Sequence, residues 1–417
     1  MLKSGSFSTE GEEAIVLVTA DTAYGKVQGT ERKQGLSYVA TTLEHQVAAT
    51  STDTNWTKVE DEEETNNSTN TNQTHRWVLA AFDTRVNQEL VDESGFIISN
   101  PYRMLLIESN NLNKRIGDLR DNPYAQGSWI RVFNGMDGGK GVENRYTNIQ
   151  LGYDYAFGLV GAKSYTGLAL STSIVDVKGN QYSGKANTYS LALYNSYIAD
   201  NGWYVDAIAK YLYTDQKMTP SGTSRETQFG NHAYSLGLEV GHKEYIQDSN
   251  FFIESQLELI AVLVQGVDHI YAGRVGGLDI YGNLRTTPGL STREGIVTGY
   301  TLKTQNNKFQ ADFRLGLSLV QEFVSNKDSV VLNDGITQGS TAIDDDQRVV
   351  LNLGTNLMLT DEWRVYIDAE RSFGGNRNTN YQANVGARFS FGKTVKSLPV
   401  PEKDLTPLKL QNKAEKK

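Results

Sequence analysis

Phe309-Gln310-Ala311-Asp312-Phe313-Arg314-Leu315-Gly316-Leu317-Ser318-Leu319 alternates without a break. Phe309, Ala311, Phe313, Leu315, Leu317 and Leu319 make one face; Gln310, Asp312, Arg314, Gly316 and Ser318 make the other. A period of two places successive side chains on opposite sides of a β-strand. The same rhythm recurs. Ile149, Leu151, Tyr153 and Tyr155 oppose Asn148, Gln150, Gly152 and Asp154. Trp203, Val205, Ala207, Ala209, Tyr211 and Tyr213 oppose Tyr204, Asp206, Ile208, Lys210 and Leu212. Tyr234, Leu236, Leu238 and Val240 oppose Ser235, Gly237, Glu239 and Gly241, and Tyr381 to Phe391 closes the series. About twelve such runs start near residues 128, 145, 164, 187, 202, 233, 251, 291, 308, 347, 362 and 380.

Many of these runs reach ten residues, whereas strands of soluble sheets are usually about five or six. Long strands, an even count, one continuous apolar face and aromatics near the strand ends fit a transmembrane barrel whose polar face lines a lumen. A large soluble barrel or sandwich with an apolar interior is the competing reading, but a closed soluble barrel of this strand number would need far more apolar bulk to fill it. The fold expected is all-β: a 12-stranded antiparallel membrane barrel.

Composition is consistent with this without requiring it. The 417 residues suffice for two domains or one large β-domain. Mean hydropathy is −0.45, and no apolar run reaches the ~18 residues of a membrane helix; Ala14 to Val18 and Leu259 to Val264 are too short. Barrel strands alternate and so average out as polar. A net charge of −9 disfavours a nucleic-acid partner. With no cysteine there is neither a disulfide framework nor a thiolate metal site, and the five histidines show no metal-ligand spacing; no cofactor or metal is expected. No signal peptide opens at Met1, so an envelope location requires the chain to be a fragment of a longer precursor.

Residues 1–99 differ from the rest. Short β-prone runs (Ala14 to Val18, Leu36 to Val39, Trp77 to Leu79) are separated by Gly, Thr, Ser and Asp. The acidic run Glu60 to Glu64 leads into an Asn/Thr-rich loop. A helix is expected over residues 100–122, with Asn100 as N-cap and Pro101 at its first position. Met104, Leu105, Leu112, Ile116 and Leu119 are scattered among polar residues, so this helix suits a polar pore better than lipid. Strands fill residues 123–391. Residues 392–417, with seven lysines and three acids, read as a disordered tail.

The run Asn110-Asn111-Leu112-Asn113-Lys114-Arg115-Ile116-Gly117-Asp118-Leu119-Arg120-Asp121, followed by Trp129 and Arg131, resembles the linker helix and first strand of autotransporters (type V secretion), most of all those of the enterobacterial serine-protease group. Tyr204-Val205-Asp206, Ile208, Lys210-Tyr211, Glu239-Val240-Gly241, Ile253 to Leu259 and the terminal Gly386 to Phe391 continue the likeness, which covers residues 100 to 391. It implies an outer-membrane barrel of a Gram-negative bacterium with the linker helix in its lumen. Residues 1–99 would then be the C-terminal end of an exported passenger. The partners implied are outer-membrane lipid and lipopolysaccharide, with transient help from the barrel-assembly machinery and periplasmic chaperones; the barrel would be a monomer. It further implies passenger release by cleavage between Asn110 and Asn111 inside the barrel. Family barrels usually end at the terminal aromatic, so the tail after Phe391 is a departure.

An asparagine amide can attack its own backbone carbonyl and break the following peptide bond, leaving a succinimide. A protein speeds this by orientation and by acid and base groups. Asn110 is then the attacker and Asn111 the leaving amine. Alternation turns Asp206, Glu239, Glu254, Gln256 and Glu258 toward the lumen. By resemblance, Asp206 matches the acid that polarises the asparagine, and Glu239 and Glu258 match supporting acids; Arg131, Lys210 and Glu254 complete the luminal charge balance. The alternative for each acid is a salt-bridge lattice that holds a plug helix. Three other functions compete: an uncleaved barrel anchoring a surface adhesin, a porin-like channel, and a soluble β-rich binding protein.

Overall fold

The computed structural model describes residues 5–7, 9, 14–20, 31–50, 52, 55–58, 73–108, 117–220, 225–247, 249–304, 309–326 and 328–399. The chain opens with a small sheet of β1 (Gly5–Ser6), β2 (Val16–Ala20), β3 (Glu31–Gln34), β4 (Ser37–Ala48), β5 (Thr57–Lys58) and β6 (Thr74–Val86). Two helices follow, α1 (Gln88–Ile98) and α2 (Asn100–Glu108). Asn87 caps α1 by accepting from the Leu90 N–H at 3.3 Å.

From Tyr124 the chain alternates direction through β7 (Tyr124–Gly139), β8 (Val142–Leu159), β9 (Ala162–Lys178), β10 (Tyr182–Ala199), β11 (Trp203–Pro220), β12 (Thr227–Tyr245) and β13 (Phe251–Val264). β14 (Val267–Val275) and β15 (Leu278–Leu284) leave the wall; β16 (Thr287–Lys303) and β17 (Gln310–Val324) return to it. β18 (Val330–Asn333) and β19 (Gln338–Thr341) leave again, and β20 (Asp346–Met358), β21 (Trp363–Phe373) and β22 (Asn378–Thr394) complete it. β7–β13, β16, β17 and β20–β22 close into one antiparallel barrel of twelve strands, with β22 paired to β7. Closure leaves no backbone edge unpaired, the condition for a sheet to sit in lipid.

The side chains sort as the alternation requires. Leu236, Ile296, Leu317 and Leu353 point outward and stay exposed, whereas Asp312, Arg314, Ser318 and Asn384 are buried inside. Among the described residues no helix is long and apolar enough to cross a membrane; the strands do the crossing.

The long connections at one end, β14–β15 and β18–β19, pair into a four-stranded sheet of their own. α1 packs on it: Gly282 lies against Ile98, and Gly339 against Val91. Leu90, Val91, Phe96, Ile97, Ile98, Tyr102, Met104 and Leu105 are almost fully buried in one cluster with Val330, Leu332 and inward wall residues, worth about 1.5–3 kcal/mol for each large side chain. The first sheet docks on the same loops through the Leu36 N–H to Asp334 Oδ2 (2.7 Å) and the Gly35 N–H to the Val275 carbonyl (2.9 Å).

Two expectations change in extent. The helix of residues 100–122 is described only to Glu108, and Gly117 to Asn122 are not helical. Gly117 takes φ +72°, the left-handed conformation that ends helices, and Asp118 turns its carboxylate onto the Arg120 N–H (3.1 Å). A second helix, α1, falls within the stretch read as β-rich. The tail also stays ordered past Phe391: β22 runs to Thr394, and Leu398 is hydrogen-bonded to the β8–β9 turn. Residues 400–417 lie outside the described residues.

Candidate functional site

Inside the barrel, the end of α2 and residues 118–120 are held at two levels. At the upper level α2 delivers Glu108, whose side chain is wholly buried. Its carboxylate accepts from Asn148 Nδ2 (3.0 Å), Ser171 Oγ (2.7 Å), Ser173 Oγ (2.9 Å) and Thr188 Oγ1 (3.0 Å) on β8, β9 and β10. Lys210 of β11 donates to the Glu108 carbonyl at 2.7 Å, with its ammonium 3.6 Å from the carboxylate. Four neutral donors and a cation around one carboxylate satisfy a buried charge that would otherwise be costly. One turn earlier, Arg103 is paired with Asp137 of β7.

At the lower level, near the short-turn end, Asp118 lies 2.9 Å from Arg120 and 3.1 Å from Lys243 of β12. Lys243 also meets Asp312 of β17 at 3.0 Å. Arg364 of β21 donates to the Asp118 carbonyl at 2.6 Å. Arg120 stands over the Tyr204 ring and 3.6 Å from Glu254, which Arg314 holds at 2.8 Å.

The wall between these levels carries the expected acids. Asp206, Glu239, Glu258 and Arg293 are directly opposite one another across β11, β12, β13 and β16, in a single cross-strand row. Asp206 lies four residues below Lys210 on the same strand, about 13 Å at ~3.3 Å per residue. It accepts from Ser196 Oγ at 2.5 Å, and Glu239 accepts from the Tyr204 hydroxyl at 2.6 Å. Asp206 and Glu239 are buried, Glu258 half-buried. Glu258 and Arg293 line a cavity of about 90 Å³ with Glu322, Arg348 and Glu370, space enough for several waters.

Of the expected site residues, the structure therefore brings Asp206, Glu239 and Glu258 together, and places Lys210 at the upper anchor and Glu254 at the lower one. Arg131 is buried beside the Phe133 ring and shares a row with Gln150, Ser171 and Ser190, the level of the upper anchor. Asn110 and Asn111 lie outside the described residues. Among the described residues no group of three His, Asp or Glu side chains is arranged to hold a metal.

The model of the autotransporter β-domain matches residues 124–370, which is the barrel from its first strand into β21. The chain belongs to the autotransporter β-domain family. Relatives include the serine protease EspC of Escherichia coli O127:H6, 30% identical over 320 residues, and the Pet serine protease autotransporter of E. coli O44:H18, 29% identical over 317. Each alignment covers 76% of this chain and 24% of the relative, so the chain spans about a quarter of their length. Among solved structures, the β-domain of the Bordetella autotransporter BrkA aligns with a TM-score of 0.55 at 20% identity over 64% of this chain and 100% of that one. The translocator domain of NalP from Neisseria meningitidis gives 0.56 at 12% identity over 72% and 99%. At such identities the solved structures speak for the fold alone. As an autotransporter β-domain, the barrel is an outer-membrane protein, with its long loops outside and its short turns in the periplasm.

Sequence reasoning missed the anchors. Glu108, Asp118, Arg120 and Lys243 were visible as charges but not as partners. The only signal was the small polar set Asn148, Ser171, Ser173 and Thr188 on inward positions, and it becomes a site only once the strand register is known.

Proposed function

We propose that this translocator domain exports an N-terminal passenger to the cell surface and releases it by one self-cleavage between Asn110 and Asn111. The observation that carries the reading is the pair of luminal anchors, Glu108 above and Asp118–Arg120 below, with Asp206 and Glu239 on the wall between them. Asn110 is two residues beyond the upper anchor. In the proposed step the Asn110 Nδ2 attacks the Asn110 backbone carbonyl carbon as Asp206 takes up an amide proton. The C–N bond to Asn111 then breaks, and the leaving nitrogen gains a proton from a luminal carboxylic acid, Glu239 or Glu258. The passenger side ends in a succinimide and the barrel side begins with the free amine of Asn111. Orientation supplies most of the acceleration, since Asn cyclisation is slow in a free chain. Each molecule reacts once, so no turnover follows. Folding into the membrane would use the barrel-assembly machinery and periplasmic chaperones, and residues 1–99 would be the C-terminal end of the passenger.

Intact mass of the full chain folded in detergent or membranes, beside an Asp206→Asn variant, tests this. Two fragments meeting between Asn110 and Asn111, with the variant uncut, are expected. One intact mass in both removes the cleavage and leaves a barrel that displays its N-terminal region. A porin-like channel is the weaker alternative because α2 and its anchors occupy the lumen.

A further inference from the structure

The seam between β22 and β7 is the one barrel pairing whose register slips, between Thr379 and Tyr381 and again between Phe391 and Thr394. The other eleven run without a shift among the described residues. A register slip leaves a residue unpaired and interrupts the hydrogen-bond ladder locally, so this is the joint at which the pairing of the wall is broken. Two features cross it.

The first is inside. Arg388 of β22 passes over Gly127 of β7, where a Cβ would lie 1.9 Å from its guanidinium. It makes a two-point contact with Asp154 of β8 at 2.7 and 2.5 Å, with both side chains fully buried. Tyr194 of β10 donates to the same carboxylate at 2.8 Å.

The second is at the periplasmic rim. Gly392, at φ +88°, turns the chain after the terminal aromatic, and Thr394 pairs again with Tyr124. The Val395 N–H then bonds the Pro123 carbonyl (2.8 Å), and the Val395 side chain packs against the cluster of Leu119, Trp129, Ala156 and Tyr165. Beyond it the Leu398 N–H bonds the Leu159 carbonyl (2.8 Å) and the Gly161 N–H bonds the Leu398 carbonyl (2.9 Å), a parallel bridge of Val160 with Leu398. The chain after Phe391 thus leaves the last strand, passes the start of the first and reaches, at Leu398, the turn between the second and third.

We propose that Gly392–Leu398 is a strap that holds the barrel seam shut from the periplasmic side, in series with the Arg388–Asp154 pair inside. Parting β22 from β7 then requires three backbone hydrogen bonds outside the seam ladder to break along with it.

The chain has no cysteine, so a Val160→Cys/Leu398→Cys pair in the full-length folded barrel reports the strap directly; bridge partners lie within disulfide reach. Leu398→Cys with Asp361→Cys, in the β20–β21 turn on the far side of the seam, is the control pair. Efficient crosslinking of the first pair alone is expected. Removing Val395–Lys417 should speed unfolding, read as loss of compact gel mobility on heating, at least about tenfold, the size that a few backbone hydrogen bonds can set. Should the shortened chain not assemble, Gly158→Ala in the full chain serves instead, because its Cβ would lie 2.2 Å from the Lys396 carbonyl oxygen and unseat the strap. It should lower the crosslink yield and speed unfolding. Equal crosslinking of both pairs, or unfolding rates unchanged in the strap variant, overturns the proposal.

Discussion

Glu108 illustrates what a linear reading misses. It stands two residues before the asparagine pair, yet its meaning lies in Asn148, Ser171, Ser173, Thr188 and Lys210, which come from four different strands. Alternation alone turned Asp206 and Glu239 inward, because facing depends only on parity. It could not say that Lys210 reaches the helix end, because that depends on register and on where α2 stops. Glu108→Ala leaves the Lys210 ammonium buried without its carboxylate, a loss of about 3–5 kcal/mol for a broken buried pair. Glu108→Gln keeps the hydrogen-bond acceptor and should cost less. If the upper anchor positions Asn110, Glu108→Gln also slows self-cleavage at least about tenfold while the barrel stays heat-modifiable. A Glu108→Gln/Lys210→Met double variant, which removes the buried cation as well, should recover part of the stability but not the cleavage rate. Additive losses in that cycle, measured by thermal unfolding and by fragment mass against time, would show that the pair is not coupled.

Among the elements, α1 was illegible and the strands were not. Gln88–Ile98 carries Val91, Gly95, Ile97 and Ile98, residues with weak helix propensity, and reads as part of a β-prone region. Tertiary packing overrides the propensity. Gly95 is required where a Cβ would lie 2.0 Å from the Thr341 side chain, and the helix buries its apolar face on the loop sheet. α1 is also pinned by Glu93, which accepts from the Gln181 and Tyr182 N–H groups at 2.6 and 3.1 Å. Burial pushes the Glu93 carboxyl above the usual carboxylate range, against the pull of those two N–H groups. A carboxyl raised in the folded state binds its proton more tightly there than in the undocked chain. The docked state is therefore favoured fully below the ordinary carboxylate value, and this contribution is lost as pH rises through the raised one. Limited proteolysis within residues 88–98 should become faster from acid toward neutral pH, and Glu93→Gln should flatten that dependence. An unchanged slope in the variant would assign the pH response to another group.

For the molecule as a whole, the same parity rule has a consequence of opposite sign for soluble and membrane barrels. The twelve strands were legible because one buried-or-exposed choice repeats every second residue over ten or more positions, and their observed starts follow the alternating runs. What parity cannot tell is which face meets water. The two alternatives were separated by the bulk available to fill an interior, and the structure fills it with α2, buried ion pairs and small polar side chains while leaving Leu317, Ile296 and Leu351 side by side on the outside. Leu317 lies near mid-strand in β17 and is 57% exposed in the isolated chain. On a water-facing surface, Leu317→Arg would change stability by no more than about 0.5 kcal/mol. Facing lipid near the midplane, it should cost about 2–4 kcal/mol, while Leu317→Ala costs less because it introduces no charge. Reversible unfolding of the barrel from lipid vesicles resolves these values. A near-zero cost for arginine at position 317 would mean that this belt is not in the hydrocarbon, whereas the full penalty fixes the outward face as the lipid face and the polar face as the lining of the lumen.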